Sequence, residues 1–195
     1  MSVNYQELVP QKALGKEISR NIFQTYRTKV GLPPEIEQNI EYLQQSNPEY
    51  SYRLFDDADI KEFILEYYGE AIWGYYQRIA PAYGAARADF FRYLLVYECG
   101  GVYLDIKSSL DRPLREVLLA EDRFILTHWD NLPGGQYEGI GIFSEVSSLP
   151  RGEYIQWAII SVAGHPFLRA VILQMLRNID EYNPFQHGAG LWGVL

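Results

Sequence analysis

Asp105 and Lys107, two positions apart in "GGVYLDIKSS" (Gly100 to Ser109), are where this sequence could first do chemistry. "VYLDI" is a short apolar run rich in β-formers, the pattern of a strand covered on both faces. A carboxylate after such a strand can accept hydrogen bonds from a ribose or sugar hydroxyl, or ligate a hard cation such as Mg²⁺ or Mn²⁺. It can equally be a strand-end turn or a cap. Upstream, Asp89 and Arg92 stand three apart, on neighbouring positions of one helix face, among Phe, Leu, Val and Tyr. They read either as a surface ion pair worth about 0.3–0.5 kcal/mol, or as groups brought to one rim with Asp105 by helix, Gly-Gly turn and strand. Asp111, in "SLDRPL", takes the plainer role of a turn before a Pro-started helix.

The elements that must position these residues are legible in outline. "NIFQTY" (Asn21 to Tyr26) reads as a first strand, and "LPPEIEQNIEYLQQSNPEY" as a helix opened by prolines and closed at Asn47-Pro48. "YSYRLF" alternates as a strand. "DDADIKEFILEYYG" follows as a helix with an Asp cap and Gly69 just past its end. "EAIWGYYQRI" predicts a short helix, and "YGAARADFFRYLLVYECGG" a helix stopped by Gly100-Gly101. "RFILTHW" predicts a further strand. "YIQWAIISVAGHPFLRAVILQMLRNIDEY" predicts an apolar segment, a turn at Gly164 and a helix with Pro166 in its first turn. Strands alternating with helices argue an α/β domain with a largely parallel sheet. Ligands of such sheets bind beyond the carboxyl ends of the strands, at a switch in strand order, and Asp105 sits near such an end.

Composition narrows the classes. The 195 residues suit one domain, and 48% apolar content argues against a disordered chain. A formal charge of −8 and the lack of a basic run give no footprint for nucleic acid. A phosphate-bearing ligand must therefore be drawn in by locally placed cations. Cys99 is the only cysteine, which excludes an intramolecular disulfide and a Cys-based metal cluster and fits a reducing compartment without requiring one. The N-terminal residues have no apolar signal-like core, and no later window approaches a membrane span. The sequence ends on "HGAGLWGVL", apolar and without a polar tail, so residues 1–195 read either as complete or as a piece cut from a longer protein.

Four blocks, "RNIFQTYRTK", "YRLFDD", "GAARADFFRYLLVYECGGVYLDI" and "IQWAIISVAGHPFL", resemble the glycosyltransferase sugar-binding region containing the DXD motif. This is glycosyltransferase family 32, whose members include mannosyltransferases and bacterial enzymes of polysaccharide biosynthesis. The resemblance runs from about Asn21 to about Ile172, and its most specific part is A-x-x-x-D-x-x-R-Y followed by GG-x-Y-x-D. It implies a GT-A-like, Rossmann-type sandwich in a single nucleotide-sugar-binding domain. The implied reaction moves a sugar from a GDP- or UDP-sugar to a glycan, lipid-linked saccharide or other hydroxyl acceptor, with retention of configuration. Mn²⁺ or Mg²⁺ is the implied cofactor. The expected location is cytoplasmic, either free or peripheral to the inner face of a membrane.

By the same resemblance, Tyr26 takes the place of an aromatic residue that packs on the nucleotide base. Asp89 and Arg92 match the pair that holds the donor sugar, while Tyr93 extends that helix and packs. Asp105 matches the first Asp of the motif, close to ribose and metal, and Asp105, Asp89 and Arg92 are the implied catalytic group. Gln156 and Trp157 match a Gln-Trp pair of the mannosyltransferase branch, which implies a donor contact for Gln156 and tilts the donor towards GDP-mannose. His165-Pro166 matches a structural helix start. Acceptor choice would lie in loops such as "NLPGGQYEG", Asn131 to Gly139, expected to be flexible.

Two residues depart from the family pattern. Phe23 stands where many members have His. Lys107 replaces the last Asp of the motif, whose carboxylate is normally the direct metal ligand, and an ammonium cannot ligate a cation. Lys107 then either serves as the cation itself beside the leaving diphosphate, or points to solvent in a degenerate site, or leaves Asp105 to share a metal with ligands beyond Leu195. The rival from another class is a sugar-nucleotide or glycan-binding domain that kept the fold and lost the chemistry. "VYLDIKS" is also similar to the strand of haloacid-dehalogenase-like phosphotransferases, but Lys107 breaks that pair as well, and Asp89 and Arg92 have no role there. "GIGIF" lacks the third glycine of a dinucleotide fingerprint, no phosphate-loop motif occurs, and His128, His165 and His187 are too scattered for a zinc site. A Ser-His-Asp triad has the residue types but no nucleophile elbow.

Overall fold

The computed structural model describes residues 3–182. The apolar C-terminal run singled out above lies outside the described residues. Five strands, β1 (Asn21–Thr25), β2 (Ser51–Phe55), β3 (Gly101–Leu104), β4 (Phe124–Ile125) and β5 (Ala158–Ser161), form one sheet in the order β2-β1-β3-β5-β4. β1 runs parallel to β2 and to β3, whereas β5 is antiparallel to both β3 and β4. The parallel centre and the α/β sandwich expected from the sequence are both present.

Side chains alternate across this sheet and divide the core in two. The register sets Phe23 beside Tyr103 and Tyr103 beside Ile159, and this row joins the larger apolar cluster with the helices α3 (Asp57–Arg78), α4 (Gly84–Cys99) and α6 (Pro166–Glu181). The next row, Ile22, Val102 and Ile160, faces the other way, onto Leu43 of α2 (Pro34–Ser46) and Leu114 of the short α5 (Leu114–Val117). All four residues of β3 are buried, as a strand covered on both faces requires. Each apolar side chain taken fully out of water there contributes about 1.5–3 kcal/mol. A four-residue helix, α1 (Tyr5–Leu8), lies against α6 and α3.

Local signals explain the element ends. Pro33 and Pro34 open α2; Asn47, fully buried, closes it and accepts from the Leu114 amide at 2.7 Å, pinning α5 to the same end. Asp56 and Asp59 form a reciprocal capping box at the start of α3. Gly69, at φ +74°, breaks that helix, and the two helical stretches expected on either side continue as one kinked element. At Gly100 and Gly101 φ is +63° and +104°, and a Cβ on Gly101 would sit 2.8 Å from the Asn21 carbonyl oxygen. The tight turn from α4 into β3, and the close approach of β3 to β1, therefore both need glycine.

One expectation is corrected. The strand read in "RFILTHW" shrinks to Phe124–Ile125, with a single isolated bridge from His128 to Tyr154 beyond it. β5 runs on through Ile159 and Ala158 beyond the last β4 pair, Ile125 with Ile160, and spends those residues on β3 instead.

Candidate active site

In the order β2-β1-β3, successive crossovers leave β1 in opposite directions, so a crevice opens at the carboxyl ends of β1 and β3. A cleft of about 630 Å³ lies there. Thr25, Tyr26 and Arg27 reach it from the end of β1, and Asp105, Ile106 and Lys107 from the end of β3. Asp89 and Arg92 come from α4, whose first turns bring the small residues Gly84, Ala85 and Ala88 to the same space, with Arg87 beside them. That gap lets a ligand approach the amino end of a sixteen-residue helix, where backbone N–H groups favour an anion.

Arg92 organises the polar groups. Its side chain is 5% exposed and pairs with Asp89 one turn back on α4. Its Nη1 lies 3.4 Å from Asp105 Oδ1 and donates to the Gln156 carbonyl at 2.5 Å. The guanidinium also stands over the Tyr103 ring, Cζ to centroid 5.4 Å. The i, i+3 pair is therefore no solvated surface bridge, and the rim reading of Asp89, Arg92 and Asp105 is the geometry observed. Beneath it, burial pushes the Tyr103 phenol well above its ordinary value, partly offset by Arg92, so it stays protonated and bonds Thr25 Oγ1 at 2.9 Å.

The turn after β3 is fixed by its backbone. Asp105 N–H donates to the Trp157 carbonyl at 2.8 Å, while its own carbonyl accepts from Gln24 Nε2 at 3.0 Å and from the Ser108 amide at 2.8 Å. Gln24, fully buried, is held in turn by the Tyr52 hydroxyl at 2.9 Å. Asn39 of α2 donates to the carbonyls of Ile106 and Ser108 at 3.2 and 2.8 Å. With the main chain so held, the Asp105 side chain, 40% exposed, and the exposed Lys107 both border the cleft.

Of the residues named from the sequence, five border this cleft: Tyr26, Asp89, Arg92, Asp105 and Lys107. Gln156 is the exception. It contributes its carbonyl to Arg92, but its side chain is exposed and outside the lining. Arg27, Arg87 and Asp57 line the cleft unforeseen; their signal was position, directly after a strand or in the first turn of a helix that flanks the crevice. The loop from Asn131 is ordered by its own bonds rather than loose. Buried Asn131 donates to the carbonyls of Ile140 and Arg151, and Asp130 accepts from the amides of Gln136 and Tyr137. The loop turns Leu132, Ile140, Ile142 and Phe143 outward.

The residues present do not compose the expected metal site. Among the described residues no three His, Cys, Asp or Glu side chains cluster to hold an ion. The two nearest carboxylates, Asp89 and Asp105, already share Arg92, and the position of a second motif carboxylate carries Lys107.

Residues 33–125 match the family described as "Glycosyltransferase sugar-binding region containing DXD motif". The resemblance drawn from the sequence blocks is borne out by this match; families of this description commonly use a divalent cation and a nucleotide-sugar donor. It is 27% identical over 173 residues to an initiation-specific alpha-1,6-mannosyltransferase of Candida albicans, covering 82% of this chain and 43% of that protein. It is 33% identical over 105 residues to inositol phosphoceramide mannosyltransferase 3 of Schizosaccharomyces pombe, covering 52% of this chain and 27% of that one. Less than half the length of these relatives is spanned. Among solved structures, the PaToxG glycosyltransferase superposes with a TM-score of 0.54 at 15% identity, covering 94% of this chain and 66% of its own, a likeness of fold. No helix among the described residues is long and apolar enough to cross a membrane.

Proposed function

We propose that the cleft binds a nucleotide-diphosphate sugar and that the chain transfers the sugar to a hydroxyl acceptor with retention of configuration. The observation that carries this reading is the convergence of Asp89, Arg92 and Asp105 at the crevice between β1 and β3. Tyr26 offers its ring to the base. Asp105 accepts hydrogen bonds from ribose or sugar hydroxyls, and Asp89 from the sugar. Arg92 is a positioning residue: buried and bonded on several sides, it holds both carboxylates in place. In the reaction the bond from the anomeric carbon to the diphosphate oxygen breaks, and the acceptor oxygen bonds to that carbon on the same face. The acceptor's proton passes to the leaving diphosphate, so no enzyme base tuned to neutral pH is needed.

GDP-mannose is the first donor to try, because the relatives above are named as mannosyltransferases. The outward apolar side chains of the 131–143 loop favour an acceptor with a lipid portion, in keeping with a site of action at the cytoplasmic face of a membrane. The test is release of nucleoside diphosphate from GDP- and UDP-sugars, with and without acceptor, by the wild type and by Asp105→Ala. Turnover by the wild type and at least a hundredfold less by the variant is the expected result. Binding without turnover would mark a domain that kept the fold and lost the chemistry.

A further inference from the structure

Resting on that reading, we propose that the cleft neutralises the donor's diphosphate with the chain's own cations, Lys107 foremost, and needs no divalent ion to bind it. Four cations line the cleft, Arg27, Arg87, Arg92 and Lys107, against three carboxylates, Asp57, Asp89 and Asp105. In a chain of formal charge −8 this is a local reversal of sign, and a diphosphate needs one.

The four cations are not equivalent. Arg92 is committed to Asp89, Asp105 and Gln156. Arg87 donates through Nε to the Ile79 carbonyl and lies over the Tyr76 ring. Arg27 stands by the ring of Tyr26, 5.9 Å from its centroid, where the base would lie. Lys107 is exposed on a turn whose backbone is fastened by Gln24, Asn39 and Trp157, and among the described residues it has no ion pair. It is thus a held main chain carrying an uncommitted ammonium, beside Asp105 and opposite the amino end of α4. That is where a bound diphosphate gains most from a positive charge.

The same geometry disfavours an ion. A hard cation such as Mg²⁺ is held through carboxylates, yet the two available here share a guanidinium, and the ammonium of Lys107 would repel a metal placed beside Asp105. When the bond to the anomeric carbon breaks, the leaving diphosphate gains negative charge. Lys107 stabilises that charge until the acceptor's proton arrives.

The experiment is calorimetric titration of GDP and UDP, in EDTA and in Mn²⁺, into the wild type, Lys107→Ala and Lys107→Asp. The exposed position of Lys107 lets both variants fold, and their melting curves verify it. The wild type should bind the preferred nucleotide with the same affinity, within about twofold, in EDTA and in Mn²⁺. In EDTA, Lys107→Ala should bind at least tenfold more weakly and Lys107→Asp more weakly still. Wild-type binding that appears only with Mn²⁺, or unchanged affinity in Lys107→Ala, overturns the inference and leaves the nucleotide-sugar reading standing. No binding of either nucleotide under any condition overturns that reading, and the inference with it.

Discussion

Arg92 decides how the polar residues of the cleft act together. Replacing it with Met removes the buried cation with which both Asp89 and Asp105 pair. The carboxylates left behind are 27% and 40% exposed, so water offsets part of the loss and the cost lies near or below the lower end of the about 3–5 kcal/mol for a fully buried pair. Urea denaturation of Arg92→Met should show a loss of that order, with donor binding abolished in the fraction that still folds; a loss under 1 kcal/mol would mean the guanidinium is not the keystone the geometry makes it. Asp89, Arg92 and Asp105 were legible in sequence because a polar trio stood out against an apolar helix and strand. Gln24 was not, since its bond to the Asp105 carbonyl crosses 81 residues of sequence and exists only once β1 lies beside β3. The Gln156 side chain was assigned by resemblance to donor contact, whereas its carbonyl, which no side-chain pattern reveals, is what reaches Arg92.

At the scale of elements, hydrophobic period and capping residues disclosed β1, β2, β3 and all the long helices. The length of β4 escaped because it depends on where the chain leaves the edge of β5, after Ile125, not on its own apolar run. The start of α6 offers a test tied to pH. His165 caps that helix, Nδ1 accepting from the Phe167 amide at 3.3 Å, and its ring stacks on Phe124 at 4.7 Å. Burial holds its pKa below the ordinary value of 6.5. A folded pKa below the unfolded one means that the unfolded chain takes up the proton first. The stabilisation is therefore complete above about pH 6.5 and is lost as pH falls through the lower, folded value. Protonation at Nδ1 would also end the cap. The melting temperature of the wild type should fall between pH 7.5 and 5.5 by more than that of His165→Asn, which caps without titrating. Each kcal/mol lost corresponds to roughly 2–4 °C at this size. Parallel pH profiles for the two proteins would dismiss the role given to His165.

For the whole molecule, a sheet that switches direction at β1, a helix that opens its amino end with small residues, and a cluster of cations on an acidic chain all meet at one cleft. The sequence indicated the switch point through its alternation of strands and helices. Arg27, just after β1, and Arg87, in the first turn of α4, carried only their position as a signal, and that they join Lys107 depends on how β1, β3 and α4 pack together. The central claim, that this cleft is a nucleotide-sugar site, is most directly tested by thermal melting of the wild type and Asp105→Ala against a panel of GDP- and UDP-sugars. A ligand that binds only the native state at a hundred times its Kd stabilises by about 2.7 kcal/mol, or roughly 5–11 °C at this chain length. The account predicts a rise of that size with at least one donor, GDP-mannose first, present in EDTA and lost in Asp105→Ala. No rise with any donor, with or without Mn²⁺, would contradict it.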